Sequence, residues 1–371
     1  MREHKIPSDA EFLKLVNEIL EDISYPSMAE SISSLDGGMC HENMLVKLDD
    51  ESELVLRWQP AGDHPNPARR EDHYFGGVIS MYREARILGI AKEVAHIPAS
   101  GVVAISDKKE KGKALLVEKV EGIHFRDYLE RNDHSLEAFC NGLKKLGNTI
   151  AQVHSVHFDV FGQIQPDGIL PGTVYYGDYL RQVINRHFHD HVEIVRQYLK
   201  EQELTEIFEY MERVVNGLVR TDARPSFVLY DQHARNFFVD PETGKPSGFY
   251  DLEYGQSAHP NLEFGSMCLQ LFGFYSGEYV PIARASFLEG YKENGGPSEI
   301  EDPQIEAIHT INHIFSAVKS YHDIKDGIRD EWSQNFAGMV LGVARAGEVN
   351  CYDSFTDLIR PVTRQPVHPK Y

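Results

Sequence analysis

The strongest constraint on the fold is a change in hydrophobic periodicity near Glu121. Before this residue, short runs of Val, Leu and Ile alternate with turn residues, which is typical of antiparallel strands. After it, apolar residues recur at intervals of three and four over long segments, which is typical of amphipathic helices. The chain has 371 residues, which is long enough for two domains. We therefore predict a β-rich unit at residues 1–120 and a mainly helical unit at residues 121–371.

The pattern within the β-rich unit predicts helices and hairpins in a definite order. Ser8 and Glu11 have the spacing of a helix capping box, and an apolar helical stripe follows them. Polar turns separate two pairs of apolar runs, which indicates two hairpins. The predicted elements are a helix at 8–23, strands at 43–48 and 53–58, a helix at 80–93, and strands at 101–106 and 114–120.

The helical unit contains a single predicted pair of strands, at residues 236–240 and 247–251. The turn between them, PETGKP, contains the Pro and Gly that tight turns prefer. The segment 261–275 is apolar enough to be interpreted as core. Helices are predicted at 136–153, 178–200, 203–219, 281–294 and 303–325.

Charge and cysteine usage limit the partners and the compartment. The chain has 37 basic and 57 acidic residues, a formal net charge of −20, which repels nucleic-acid phosphates and anionic lipids. It has no apolar stretch long enough to cross a bilayer and no pattern of a secretory signal. Its four cysteines are widely spaced, which favours a reducing compartment. We expect a cytoplasmic monomer or homodimer that binds neither nucleic acid nor membranes.

Three residues with oxygen-bearing side chains lie at the ends of the predicted strands of the helical unit. Asp231 and Asn236 are five positions apart in the segment that leads into the first strand, and Asp251 ends the second strand. A hairpin between these strands would bring the three side chains together. Carboxylate and amide oxygens are the ligands that Mg²⁺ prefers. The pattern therefore indicates phosphoryl transfer, in which Mg²⁺ bridges the phosphates and a separate carboxylate orients the attacking hydroxyl.

This D-x-x-x-x-N segment, followed by a hairpin and D-x-E, resembles the aminoglycoside phosphotransferase and choline kinase group of protein-kinase-like small-molecule kinases. Further segments resemble the same group in the same order: SLDGGMC, LVLRW, YREARIL, LLVEKVEG and LGNTIAQVHS. The resemblance covers about residues 30–265. It implies an α+β, bilobal protein-kinase-like fold, with a small β-rich N-terminal lobe and a larger, mainly helical C-terminal lobe. ATP is then expected in the cleft between the lobes.

The resemblance also implies roles for individual residues of the C-terminal lobe. Asp231 corresponds to the catalytic aspartate that holds and deprotonates the acceptor hydroxyl. Asn236 and Asp251 correspond to Mg²⁺ ligands. Glu253 matches a second acidic position, which would assist the metal through water.

In the N-terminal lobe, the residues assigned by the resemblance would bind the nucleotide. Arg57 would contact the α and β phosphates of ATP and pair with Glu84 on the following helix. The backbone amides of Gly37 and Gly38, in a glycine-containing turn, would approach the phosphates. Backbone groups of Glu118 to Val120 would contact adenine.

Two positions depart from the pattern of this family. The residues before the catalytic aspartate are usually His-Gly or His-Asn, whereas this chain has Leu229 and Tyr230. The loop must therefore be held differently here. The usual strand lysine is replaced by Arg57, whose planar guanidinium can bind phosphate with two donors.

These observations predict an ATP- and Mg²⁺-dependent phosphotransferase that acts on a hydroxyl of a small molecule. Residues 121–371 contain 22 basic and 36 acidic side chains, so the expected acceptor is cationic, such as an aminoglycoside or an amino alcohol. Neutral sugars, nucleosides and macrolides remain open as acceptors. The alternative is a degenerate kinase fold that binds a nucleotide without transferring phosphate. No Walker A, G-x-S-x-G or H-E-x-x-H motif supports another enzyme class.

Overall fold

The computed structural model of the protein describes residues 6–35, 42–60, 80–108, 112–218, 224–296, 303–311 and 329–349. Gly37 and Gly38, which are predicted to approach phosphates, lie outside these ranges, as does most of the helix predicted at 303–325. The helices are α1 (Asp9–Asp22), α2 (Met81–Gly89), α3 (Phe125–Arg131), α4 (Leu136–His154), α5 (Tyr176–Val195), α6 (Glu201–Leu218), α7 (Asn261–Met267), α8 (Val280–Glu293), α9 (303–311) and α10 (Arg329–Ala346). The strands are β1 (Ala29–Ser34), β2 (Glu42–Leu48), β3 (Glu53–Gln59), β4 (Val102–Lys108), β5 (Gly112–Glu118), β6 (Ile123–His124), β7 (Phe161–Gln165), β8 (Gly168–Thr173), β9 (Ser226–Val228), β10 (Phe237–Val239), β11 (Pro246–Phe249) and β12 (Gln256–Ala258).

The N-terminal sheet has five antiparallel strands in the order β1-β2-β3-β5-β4. Its two faces differ in what covers them, because successive side chains of a strand point to opposite faces. Trp58 of β3 is buried on the face covered by α1, with its ring 5.3 Å from that of Phe12. Arg57, the preceding residue, therefore projects from the other face, where α2 packs. α1 is capped as predicted, since the Ser8 and Glu11 side chains each accept a hydrogen bond from the other residue's amide.

The C-terminal lobe is built on the packing of α4 against α8. Gly147 of α4 and Gly290 of α8 allow this close approach, because an added Cβ on either would collide with the backbone of the other helix. Aromatic and aliphatic side chains of both helices form one continuous core with α2, α3 and α7. A second core joins α5, α6, α9 and α10.

The C-terminal lobe also contains two small sheets, of which the sequence predicted only the β10–β11 pair. β6 pairs with β10 to complete a three-stranded sheet in the order β11-β10-β6. A four-stranded sheet has the order β8-β7-β12-β9. The expectation of one strand pair in this half was therefore wrong. Strands of two to six residues are too short to show an alternating pattern.

These two sheets position the loops that carry the predicted catalytic residues. β9 leads into Asp231, and Asn236 immediately precedes β10. Asp251 follows β11 by two residues, and β12 begins after the turn that contains Glu253. The ends of four strands therefore meet at one place, opposite the face of the N-terminal sheet from which Arg57 projects.

Candidate active site

The D-x-x-x-x-N segment forms a closed loop between β9 and β10. The Asn236 side chain is buried, and its Nδ2 donates a hydrogen bond to the backbone oxygen of Asp231 at 2.8 Å. The same nitrogen lies 3.4 Å from Oδ2 of Asp231. Since the amide nitrogen is committed to Asp231, the amide oxygen is the atom of Asn236 that suits a cation.

Asp231 has neutral hydrogen-bond donors around its carboxylate. Gln270 donates from Nε2 to Oδ1 of Asp231 at 3.0 Å. Burial raises the pKa of Asp231, and the charges of Asp251 and Glu253 raise it further, while His233 and the Gln270 hydrogen bond lower it in part. A carboxylate with a raised pKa is a stronger base than an exposed aspartate.

Asp251 has an ion pair where Asp231 has neutral partners. Arg57 donates from Nη2 to Oδ1 of Asp251 at 2.9 Å, and its Nε lies 3.1 Å from Oε1 of Glu84. Burial works against the charge of Arg57, but Glu84, Asp251 and Glu253 outweigh it and raise its pKa. The guanidinium thus joins β3 and α2 of the N-terminal lobe to the C-terminal lobe. The structure brings together the predicted residues Arg57, Glu84, Asp231, Asn236, Asp251 and Glu253.

Glu253 lies deeper than Asp251. Its side chain is 2% exposed, whereas that of Asp251 is 35% exposed. The charge of Glu253 still acts on both Arg57 and Asp231, which places it beside the other acids. Within the described ranges, no group of three or more His, Cys, Asp and Glu side chains is arranged to hold a metal. Mg²⁺ takes octahedral coordination, so a cation held by Asn236 and Asp251 would need further oxygen ligands.

The predicted adenine-binding segment leaves the end of β5. The amide of Glu118 donates to the backbone oxygen of Gly101 at 2.8 Å, and its exposed carboxylate pairs with Lys92. The Glu118 amide therefore already has a hydrogen-bond acceptor within the protein. Val120 lies over β11, since a Cβ added to Gly248 would come within 2.6 Å of the Val120 Cβ.

Three half-buried aromatic residues lie in the β6-β10-β11 region, and the sequence reasoning missed them. The ring of Phe238 stacks on His124 at 4.5 Å and lies 5.1 Å from the ring of Tyr250. The hydroxyl of Tyr250 lies 3.2 Å from Nδ1 of His124. Burial lowers the pKa of His124 and raises that of Tyr250. Phe238 and His124 are stacked, with their planes 26° apart, whereas the ring of Tyr250, the residue before Asp251, is tilted against both.

The loop before Asp231 is held by a buried glutamate. Glu263 accepts hydrogen bonds from the amides of Leu229, at 2.7 Å, and Tyr230, at 3.1 Å. Its Oε2 also lies 3.7 Å from Nε2 of His154, whose Nδ1 is 2.8 Å from the hydroxyl of Tyr291. Glu263 and Gln270 both belong to the segment interpreted as core, so that interpretation missed two polar residues that support the loop.

Tyr230 has a left-handed backbone conformation, with φ of 74°. This conformation is unfavourable for a bulky residue but accessible to Gly and Asn. In the phosphotransferase and choline kinase group that the sequence resembles, this position is usually Gly or Asn, and both residues adopt the left-handed conformation readily. Here the Glu263 hydrogen bonds and the buried Tyr230 ring maintain it.

Searches with the structure found similar solved proteins, whereas a scan of protein-family models and a search of curated proteins by sequence each found no match. A candidate fructosamine-3-kinase from Thermobifida fusca YX-ER1 aligns with a TM-score of 0.60 and 14% identity, over 90% of this chain and 97% of that one. Aminoglycoside phosphotransferase APH(4)-Ia aligns with a TM-score of 0.59 and 13% identity, over 90% and 98%. Macrolide 2'-phosphotransferase MphH from Brachybacterium faecium aligns with a TM-score of 0.52 and 12% identity, over 88% and 97%.

These alignments confirm the predicted fold. The chain has the α+β, bilobal, protein-kinase-like fold of small-molecule phosphotransferases, with a β-rich N-terminal part and a mainly helical C-terminal part. At 12–14% identity the likeness concerns the fold, so the roles of individual residues remain predictions. The lobe boundary at residue 120 also remains a prediction. Within the described part of the chain, no helix is both long and apolar enough to span a bilayer.

Proposed function

We propose that the protein is an ATP- and Mg²⁺-dependent phosphotransferase that moves the γ-phosphoryl group of ATP to a hydroxyl of a small molecule. The observation that carries the proposal is the Arg57 bridge, which sets a buried cation between Glu84 and Asp251 beside the Asp231–Asn236 loop. Phosphoryl transfer needs a cation for phosphate, oxygen ligands for a metal and a carboxylate for the hydroxyl. All three lie in one cleft.

Asp231 is the residue that would accept the proton. A hydroxyl bound to its carboxylate attacks the γ-phosphorus, the bond between that phosphorus and the β–γ bridging oxygen breaks, and ADP leaves. The hydroxyl proton passes to Asp231, whose raised pKa favours this transfer. Gln270 and Asn236 hold the carboxylate in place, so no rearrangement is needed during the reaction.

Asn236 and Asp251 would hold Mg²⁺ together with phosphate oxygens. Their donors are the hard oxygens that Mg²⁺ selects, and a site with few protein ligands is typical of metals shared with a nucleotide. Bound there, the ion would neutralise charge that develops on the phosphates. Glu253, whose charge acts on Arg57, would bind one of the metal's water molecules.

Arg57 and the aromatic cluster would hold the nucleotide. A guanidinium is charged at every pH at which the protein is folded, and its planar donors match phosphate oxygens. Phe238, which stacks on His124, pairs across the sheet with Gly248, and Gly248 packs against Val120, so an aromatic face lies near the backbone of Glu118 to Val120 and would suit a purine ring. Structures of APH(4)-Ia contain ADP or AMP-PNP together with hygromycin B, which supports ATP as the donor here.

We propose that the acceptor is cationic. Glu84, Asp251 and Glu253 act on the guanidinium of Arg57, and Asp251 and Glu253 also act on Asp231, so these described residues carry more acidic than basic groups. Residues 121–371 have the same surplus. An aminoglycoside or an amino alcohol would be attracted to such a cleft, whereas a neutral sugar would not.

ATP consumption measured against a panel of acceptors tests this proposal. The panel contains hygromycin B, choline-like amines, neutral sugars, nucleosides and a macrolide. We expect Mg²⁺-dependent ADP formation with a cationic acceptor, and its loss in Asp231→Ala while ATP binding is retained. No turnover with any acceptor, together with nucleotide binding that does not need Mg²⁺, would instead identify a non-catalytic nucleotide-binding module.

A further inference from the structure

Helix α2 is attached to the C-terminal lobe by a residue that the proposed chemistry does not use. Arg86 lies two positions after Glu84, which puts the two side chains about 200° apart around the helix. Glu84 faces Arg57, whereas Arg86 faces the β7–β8 hairpin. One helix therefore carries a contact to the candidate site and, on another face, a contact to the C-terminal lobe.

The Arg86 guanidinium binds three backbone carbonyls at the turn of this hairpin. Its Nη1 donates to the carbonyl oxygens of Gln165, of Pro166 at 3.0 Å and of Gly168 at 3.2 Å. A charged donor makes a stronger hydrogen bond than a neutral one. Arg86 thus fastens α2 to a particular turn rather than to a mobile surface side chain.

The hairpin that Arg86 holds belongs to the sheet that positions both proposed aspartates. Gln163 of β7 pairs with Gln256 of β12, and Gln256 pairs with Val228 of β9. β9 leads into the Asp231 loop, and β12 follows the Asp251 loop. A displacement of α2 from this hairpin would therefore separate Arg57 and Glu84 from the acids opposite them.

A second contact attaches α2 to the same region. Ile87 is fully buried, and a Cβ added to Gly255 would lie 2.7 Å from its Cγ2. Gly255 closes the turn after Asp251, since its amide donates to the carbonyl of Leu252 at 2.9 Å. The absence of a side chain at this position lets α2 pack directly on the turn.

We propose that Arg86 is a positioning residue, which clamps α2 to the β7–β8 turn and so sets the Arg57–Glu84 pair against Asp251. The inference rests on the proposed function, because the clamp matters through the nucleotide that Arg57 would hold. Its effect is on the binding of Mg²⁺-ATP rather than on the acceptor, since Arg86 itself lies outside the cleft. Gly255 belongs to the clamp as the position on which Ile87 packs.

The test compares Arg86→Ala, Arg86→Lys and a matched control, Arg181→Ala. Arg181 also joins two elements, since it donates from α5 to Asn216 of α6 at 2.7 Å, but both lie in the C-terminal lobe. Calorimetric titration with Mg²⁺-ATP measures nucleotide affinity, and hydrogen exchange measures opening of the α2 amides. For Arg86→Ala we expect about tenfold weaker Mg²⁺-ATP binding, faster α2 exchange and an acceptor KM that changes by less than about twofold.

Arg86→Lys should restore part of the affinity, because an ammonium can donate to the same carbonyls. Arg181→Ala should change neither nucleotide affinity nor α2 exchange. An Arg86→Ala protein with a lowered Tm but unchanged α2 exchange and nucleotide affinity would contradict the proposed positioning role of Arg86. If the wild-type protein binds no nucleotide, the proposed function fails, while α2 exchange still decides whether Arg86 fastens the helix.

Gly255→Ala tests the clamp from the opposite side. The added methyl should push Ile87 and α2 away, weaken Mg²⁺-ATP binding and speed α2 exchange. The double variant Gly255→Ala with Ile87→Ala should recover part of the affinity, because the collision is removed. Gly217→Ala is the control, since an added Cβ there meets nothing within 4 Å. Unchanged affinity and α2 exchange in Gly255→Ala would contradict the inference.

Discussion

Asp231 and Asp251 lie in the same cleft, yet their surroundings are opposite in kind. Asp231 accepts hydrogen bonds from the neutral amides of Gln270 and Asn236, and burial raises its pKa. Asp251 is bound by the guanidinium of Arg57, and its side chain is 35% exposed. A carboxylate with a raised pKa suits proton transfer, whereas carboxylate oxygen atoms in general are the hard ligands that Mg²⁺ prefers. The environment thus separates two chemically identical groups into two proposed roles.

Replacing each aspartate with alanine should have the largest effects on turnover and on nucleotide affinity. Asp231→Ala should reduce kcat by a factor of about 10² to 10⁴, because the proposed general base is lost, while Mg²⁺-ATP affinity stays within about twofold. Asp251→Ala should weaken Mg²⁺-ATP binding as well as turnover. Steady-state kinetics and calorimetry measure both. Asp240→Ala is the control, since Asp240 only caps the β10–β11 turn. Similar effects of the two substitutions on nucleotide affinity would contradict separate roles.

Arg57→Ala should produce the next largest effect. It removes the proposed phosphate contact, so the KM for ATP should rise about tenfold or more. It also removes the guanidinium that pairs with the buried Glu84 carboxylate, which should cost roughly 3–5 kcal/mol of folding stability. Arg57→Lys keeps the charge and should be less severe in both respects. Arg345→Ala, which removes an exposed ion pair with Glu206, is the control for KM and for chemical denaturation. An unchanged KM for ATP in Arg57→Ala would show that Arg57 has only a structural role.

Gln270→Ala should change the pH dependence of turnover. The hydrogen bond from Gln270 lowers the pKa of Asp231, so its loss should raise that pKa further. The acid limb of the kcat profile should then move to higher pH, and Gln270→Glu should move it further by adding a negative charge. The charged groups that act on Asp231, namely His233, Asp251 and Glu253, are unchanged in both variants. Acid limbs that coincide with that of the wild type would exclude Gln270 as a partner of Asp231 in solution.

Asp231→Asn should give the smallest effect, an increase in stability at neutral pH. Because the folded-state pKa of Asp231 is raised, the folded protein holds the proton more tightly than the unfolded chain, and stability falls as pH rises through this window. Asparagine carries no titratable proton, so the Asp231→Asn variant does not lose this stability as the pH rises. Its Tm should exceed that of the wild type at pH 7 to 8, and the difference should disappear below about pH 4. A Tm advantage that is the same at both pH values would contradict the raised pKa.

The sequence predicted the parts of the site that are local or that match a family pattern. Asp231 and Asn236 are close in the chain, so their loop could be expected, whereas Arg57 and Asp251 are 194 residues apart and were linked only through the resemblance. Gln270 and Glu263 were missed, because the apolar residues around them hide polar side chains that face inward. β7, β9 and β12 were missed because strands this short show no periodicity.

The departure at Leu229 and Tyr230 illustrates what the sequence alone leaves out. The sequence indicated that the loop must be held differently, but it did not show how. The structure places Glu263, which is 32 residues after Asp231 in the chain, under the amides of both residues. A left-handed Tyr230 could not be expected from propensity, since bulky residues rarely adopt this conformation.

The most direct test of the proposed division of roles follows a labelled γ-phosphoryl group. ATP with a radiolabelled γ-phosphate is incubated with Mg²⁺, a cationic acceptor and either the wild-type protein or Asp231→Ala, and the acceptor is then separated and counted. We expect label on the acceptor with the wild type, and almost none with Asp231→Ala although that variant binds Mg²⁺-ATP. Equal labelling by the two proteins, or no labelled acceptor with the wild type across the panel, would contradict it.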